Sequence, residues 1–315
     1  MDVGLGLWTM RSTAAAPAAH ATLYADLLDD ARAAEALGFH SLWLAEHHFW
    51  YDGWCPAPLV AAAAVLAATR RLHVGTGIHL LPLYDPVRAR AEVAWLARLS
   101  GGRFEHGVGL GYRAAEYDGF GLSRTVRGRR MDAGLDVLAA GDGAPAPIWV
   151  GGMAAPALQR AGRRGLNIML PSTLRLEQAA EAIATVREHA ERAGRTPGRI
   201  GIMKYTWVTD GTAADRDRAV AANRAFTREY TGSWFPLRGR PGFSAPDLLE
   251  AQARRTVDTG LFGGAEEVAE QLAGFAALGV DLAVLHLAGD GRRPRRAETM
   301  ARIAEHVVPA LAVAA

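Results

Sequence analysis

Four groups of polar and small residues stand directly after apolar runs: Glu46, His47 and His48; Gly77 to His79; Gly109 to Arg113; and Gly151 to Met153. Three chemistries come into question. The first is metal ligation, but two neighbouring histidines on an extended chain point to opposite faces, and neither His-Glu-x-x-His nor Cys-x-x-Cys occurs. No metal site is expected. The second is nucleophilic hydrolysis, for which the Gly-x-Ser-x-Gly elbow is missing. The third is phosphate binding. Gly151 and Gly152 end an apolar run and open a helical pattern, so their amides and the helix dipole either cradle a phosphate or simply let the chain turn. The stretch Gly107-Val-Gly-Leu-Gly111 is not a dinucleotide fingerprint, because Tyr112-Arg-Ala-Ala-Glu-Tyr117 follows in place of the third glycine.

The elements that position these groups alternate. Apolar runs at 3–8, 41–45, 72–76, 103–108, 147–150, 166–169, 200–206 and 282–286 read as strands. Helical periodicity fills 24–37, 59–68, 89–99, 127–139, 155–163, 176–192, 213–230, 265–278 and 295–311. Eight short continuous apolar strands, each followed by a helix, imply a parallel sheet covered by helices, and eight such units in this length favour an α/β fold of the closed (β/α)8 barrel type. An open doubly wound sheet is the alternative, but the first strand runs into Thr9-Met-Arg-Ser-Thr13 with no glycine-rich turn. In a barrel the active site lies where strands end and βα loops begin, which is where the four polar groups stand. The stretch 231–264, rich in Gly, Pro, Trp and Phe, reads as a lid excursion from a single domain covering 1–315.

Bulk properties narrow the partners. The chain has 315 residues, 50% hydrophobic and 22% charged, with a net charge of +2 and its arginines scattered among acids. No nucleic-acid partner is expected. The single cysteine, Cys55, rules out an intrachain disulfide, and no cleavable leader or apolar run of about 18 residues is evident, so the expected location is the cytoplasm, with no membrane span. Trp8, Trp50, Trp54, Trp207, Trp234 and Phe235 fall at strand ends or in the lid stretch, where aromatic walls suit an apolar or planar substrate, although ordinary packing accounts for many such residues.

The run Gly38-Phe-His-Ser-Leu-Trp-Leu-Ala-Glu-His-His-Phe49 resembles the second-strand signature of bacterial luciferase-like proteins. Further motifs follow in the same order: Val74-Gly-Thr-Gly-Ile78 with Leu81-Pro82 and Asp85-Pro-Val-Arg88, Leu99-Ser-Gly-Gly-Arg-Phe104, Gly107-Val-Gly-Leu-Gly-Tyr112, Arg130-Met-Asp132, Pro147-Ile-Trp-Val-Gly-Gly152 and Gly263-Gly-Ala-Glu-Glu-Val268. They span nearly the whole chain. The resemblance implies a reduced flavin mononucleotide (FMN), or a deazaflavin coenzyme, lying across the strand ends. Gly77 and Ile78 match the place where the family has a non-prolyl cis peptide behind the flavin ring. Leu110 and Tyr112 match the loop beside the flavin tail, and Gly151, Gly152 and Met153 match the phosphate turn. His47 matches the histidine near the reacting flavin, with Glu46 beside it, and an imidazole there can take or give a proton near pH 7. The bland reading is that His47 only shapes the pocket.

Two family positions differ. The reactive cysteine of light-emitting relatives falls at Gly109 and the phosphate-clamping arginine at Leu110, so light emission is not expected and Arg127 is the candidate substitute cation. The segment between Leu138 and Pro147 is also shorter than the family pattern. The resemblance then implies a monooxygenase that takes reduced FMN from a separate flavin reductase and uses dioxygen on a small organic substrate. A deazaflavin-dependent hydride-transfer oxidoreductase and a non-catalytic flavin-binding protein are the alternatives. The alanine-rich helix at 57–68 offers a homodimer seam, as in relatives, or lies flat on the barrel.

Overall fold

The computed structural model describes residues 1–8, 12, 17–49, 54–141, 143–232, 245–287 and 293–313. In chain order the elements are β1 (Asp2–Trp8), α1 (His20–Ala36), β2 (Ser41–Leu44), α2 (Pro58–Ala68), β3 (His73–Thr76), α3 (Pro86–Leu99), β4 (Phe104–Val108), α4 (Ala114–Gly119), α5 (Arg127–Leu138), β5 (Ile148–Gly151), α6 (Ala155–Arg164), β6 (Asn167–Leu170) and α7 (Leu176–Arg192). There follow β7 (Ile200–Val208), α8 (Ala213–Gly232), α9 (Ala245–Asp258), β8 (Leu261–Gly263), α10 (Ala265–Ala277), β9 (Leu282–His286), α11 (Arg293–Arg302) and α12 (Val308–Val313). The strands pair in parallel in the order β6-β5-β4-β3-β2-β1-β9-β7, and a β6–β7 pairing closes the ring. This is the expected (β/α)8 barrel. Among the described residues no helix is long and apolar enough to cross a membrane.

Each strand divides its residues between two apolar layers, which is why the strands read as unbroken hydrophobic runs. Outward residues such as Leu42, Leu44, Val74, Ile168 and Leu285 pack under the helices. Inward residues Trp43, Trp149, Met169, Met203, Leu282 and Val284 fill the barrel, the two indoles meeting edge to face at 5.6 Å. Glycines make room for this bulk: a Cβ at Gly201 would lie 2.9 Å from Trp149, and one at Gly6 would lie 2.9 Å from Trp43 and from Val284.

The stretch expected as a lid is partly structured wall. α9 packs on α8, with Asn223 and Thr227 both hydrogen-bonded to Thr256 at 3.1 and 3.0 Å, and β8 pairs with Thr206–Val208 at the far half of β7. Residues 233–244, Trp50 and the side chain of Trp8 lie outside the described residues, and with 233–244 go Trp234 and Phe235. In the short segment after Leu138, Gly141 and Gly143 are both at positive φ, and Arg90 donates to Ala140 O at 2.6 Å.

Candidate active site

All strands run in parallel, so their C-terminal ends share one rim, and His47, Gly77, Ile78, Leu110, Tyr112, Gly151, Gly152 and Met153 are brought to it. His47 lies just beyond β2, buried, with its Nδ1 2.7 Å from Glu116 Oε1. Glu116 comes from α4 and is fully buried; the same oxygen accepts the His48 N–H at 3.1 Å and Arg113 at 3.4 Å, while Arg113 also donates to His48 O at 2.7 Å. Burial opposes ionisation of Glu116, but His47, the His48 amide and Arg113 outweigh it and hold the carboxyl below its ordinary range. Burial lowers the His47 pKa, and Glu116 offsets this only in part. At neutral pH the pair is therefore a carboxylate and a neutral imidazole. The carboxylate fixes Nδ1–H toward itself, so Nε2 carries the lone pair that can take a proton. Glu116 escaped the sequence reading because α4 has only six residues and no periodicity of its own.

Glu46 is placed differently from expectation. Adjacent side chains diverge, so Glu46 turns away from His47 and lies behind the rim. Its Oε1 takes His48 Nε2 at 2.5 Å and the Tyr84 hydroxyl at 2.6 Å, and its Oε2 accepts the Leu80 N–H at 2.8 Å. Burial first, and then Glu46, push the Tyr84 phenol well above its ordinary pKa, so it remains a donor. With both oxygens occupied, Glu46 anchors the segment after β3 and is not poised beside His47.

That segment carries the floor of the site. The Gly77–Ile78 peptide is cis, as the resemblance implies. Ile78 spreads over two neighbouring strand ends: a Cβ at Gly109 would run into its Cδ1, and one at Gly151 would lie 2.8 Å from its Cγ2. Glycine at 109, where light-emitting relatives have cysteine, is thus the space the isoleucine fills. His79, next in line, pairs its Nδ1 with His106 Nε2 at 2.9 Å in the buried layer behind, where burial holds the two pKa values down to about 4 and about 3.

The phosphate turn is only partly available. Gly152, at φ 144°, donates its N–H to Met169 O at 3.1 Å, and Ala157 donates to Ala154 O at 2.8 Å. The Gly152 amide is therefore taken up by Met169 O. The exposed run from Met153 to Ala155 leads into α6 and is the part of the turn open to a ligand. Arg127 opens α5, half-buried, with Nη1 on Arg124 O at 2.9 Å, while Arg124 donates to Tyr112 O at 3.2 Å. Leu110 packs against the core, and Tyr112 leans over the mouth, its ring 6.0 Å from His47 and its hydroxyl 2.8 Å from that of Tyr230.

At the opposite end of the barrel His40, His73 and Glu105 bring ligand-type atoms within 4.8 Å of one another. The two rings stack at 4.8 Å and 22°, and in-plane lone pairs of near-parallel rings do not converge on one ion. Glu105 also accepts Trp149 Nε1 at 2.5 Å, and Asp2 meets Arg199 at 2.6 Å. This is a polar network closing the barrel floor.

The family model for luciferase-like monooxygenases matches residues 5–141 and 133–282. Among curated relatives, an uncharacterized protein, y4vJ, of Sinorhizobium fredii is 27% identical over 61% of this chain and 63% of its own length. The alkanal monooxygenase alpha chain of Photorhabdus luminescens is 27% identical over 65% of this chain and 62% of its own. The oxygenase component of a flavin-dependent trigonelline monooxygenase of Acinetobacter baylyi is 24% identical over 91% and 90%. The matched part of this chain thus spans less than two thirds of the first of these relatives. Among solved structures, the monooxygenase RslO1 of Streptomyces bottropensis superposes with a TM-score of 0.82 at 23% identity, covering 98% of this chain and 99% of that one. An F420-dependent secondary alcohol dehydrogenase gives 0.74 at 20% identity over 98% of both chains. The oxygenating constituent of 3,6-diketocamphane monooxygenase from Pseudomonas putida, in complex with FMN, gives 0.73 at 17% identity over 99% and 98%. At these identities the structural likeness is one of fold.

Proposed function

The chain belongs to the luciferase-like monooxygenase family, and from that premise we propose that it is a flavin-dependent monooxygenase that uses reduced FMN and dioxygen to oxygenate a small organic substrate. The observation that carries the reading is the buried His47–Glu116 pair at the barrel mouth, a neutral imidazole held by a carboxylate at the rim that also bears the Ile78 floor. The residues present fit a flavin: Ile78 offers an apolar surface built into the space left by Gly109 and Gly151, and the exposed residues Met153 to Ala155 at the start of α6, with Arg127, offer a partner set for a phosphate. When bound, reduced flavin supplies two electrons to dioxygen. The chain's own part is to hold the ring on Ile78, keep water from it with the aromatic side chains of the mouth, and move a proton at His47 Nε2.

In this reading Glu46 is a positioning residue, because it fixes Leu80 and through it the Ile78 segment. A separate reductase fits a chain without a nicotinamide fingerprint. A homodimer is supported by an exposed apolar stripe on α2 and α3, where Val60, Val87, Trp95 and Leu99 are 71%, 66%, 62% and 76% exposed. The test is to titrate purified protein under nitrogen with reduced FMN and, separately, with reduced deazaflavin coenzyme, and then admit air. Tight binding of reduced FMN, with the bound flavin returning to its oxidised form in air more slowly than free reduced FMN, supports the monooxygenase. Preference for the deazaflavin with no reaction toward oxygen would replace it with hydride transfer.

A further inference from the structure

One buried polar side chain at the mouth is used by nothing above. His286 ends β9 and follows Leu282 and Val284, which both face the barrel interior, so by strand alternation its ring faces inward at the top layer. It is 8% exposed, and its Nδ1 has no hydrogen-bond partner among the described residues. Its register partner on β7 is Tyr205, the two rings 4.9 Å apart. A buried polar atom left without a partner costs about 1–3 kcal/mol, and one that is kept in a folded chain calls for a role.

From His286 an unbroken series of rings leads back to His47. Phe226 on α8 lies 5.7 Å from His286, Tyr230 stacks 5.8 Å from Phe226 at 11°, Trp54 lies 5.4 Å from Tyr230, and His47 lies 4.5 Å from Trp54. Such a series presents flat ring faces. An alkyl chain gains only the burial of its area there, whereas a planar ring adds stacking and loses fewer rotamers on binding.

We infer that the mouth takes a planar aromatic substrate with a hydroxyl or carbonyl at one edge, seated along this ring wall, and that His286 is the specificity residue that hydrogen-bonds that group. The inference rests on the monooxygenase reading for what is done to the substrate, but the recognition is independent of it. Burial keeps the His286 pKa down to about 3, so the ring stays neutral and offers one N–H and one lone pair, which suits either group.

Equilibrium dialysis with three probes tests it: 2-naphthol (planar with a hydroxyl), naphthalene (planar without one) and 1-decanol (an alkyl chain). Wild-type protein is expected to hold 2-naphthol about tenfold more tightly than naphthalene, the size of one good hydrogen bond, and more tightly than 1-decanol. His286→Phe should bring 2-naphthol to the naphthalene level and leave naphthalene unchanged; His286→Asn should keep part of the preference. Tighter binding of 1-decanol, or an unchanged naphthol-to-naphthalene ratio in His286→Phe, overturns the inference. The wild-type comparison stands even if a variant does not fold. Reduced FMN titrated into the same preparations separates the two readings: FMN binding without probe selectivity defeats this one alone, and probe selectivity without FMN binding defeats the monooxygenase alone.

Discussion

His47 and Glu116 act as one unit, and the pH dependence of the reaction should expose the division of labour. Burial lowers the His47 pKa and Glu116 raises it part of the way back. In Glu116→Gln the raising contribution is gone, so the acid limb of kcat/KM is expected to move to lower pH, with kcat down by about 10- to 100-fold, less than the roughly 100- to 10,000-fold worth of the acid–base group itself because His47 remains. A limb that stays put would mean that His47 is not the titrating group. Glu46→Gln should behave otherwise: reduced FMN binds more weakly because Leu80 loses a charged anchor, while the acid limb does not move, a contrast read from the same pH series alongside FMN titration. The rim residues were legible in the sequence because they interrupt apolar runs at strand ends. Glu116 was not, since its link to His47 crosses 69 positions and only folding reveals it. Glu46 lies away from His47 for a local reason, in that consecutive residues beyond a strand still diverge.

At the scale of elements, the floor is a fit between Ile78 and two glycines on neighbouring strands. Gly151→Val would force the Ile78 side chain off its seat. The expected result is a loss of about 1–3 kcal/mol in stability, typical of overpacking, measured by urea unfolding, together with at least tenfold weaker FMN binding measured by titration. An unchanged FMN affinity would remove Ile78 from the floor. All eight barrel strands could be read from the sequence because burial on both faces makes each an apolar run, and the helices because one stripe of each faces those strands. What the sequence hid was short or masked by composition. Leu261-Phe262-Gly263 is a three-residue strand between a glycine and a helix, and α9 begins in a stretch whose glycines and prolines suggest a loop.

The whole molecule presents one surface and one acid liability. On α3, Val87, Ala91, Trp95 and Leu99 recur every four residues on the solvent side, beside the exposed Val60 of α2. If this stripe is the dimer seam, Trp95→Glu yields monomers in sedimentation velocity at concentrations where the parent is dimeric, and a monomeric parent would refute it. The acid liability comes from histidines buried in the folded chain. His79, His106 and His286 are held to about 4, about 3 and about 3 by burial, whereas an unfolded imidazole titrates near 6.5. Below about pH 6.5 the unfolded chain binds protons that the native chain refuses, so stability is fully present above that pH and falls as the pH drops toward about 4. Each histidine contributes a slope of about 1.4 kcal/mol per pH unit in that window. Urea midpoints from pH 7 to 4.5 should therefore fall steeply, and His106→Gln should flatten the slope by about one proton even if it lowers stability at pH 7. A parent whose midpoint is level from pH 7 to 5 would mean that these rings take up protons in the folded barrel.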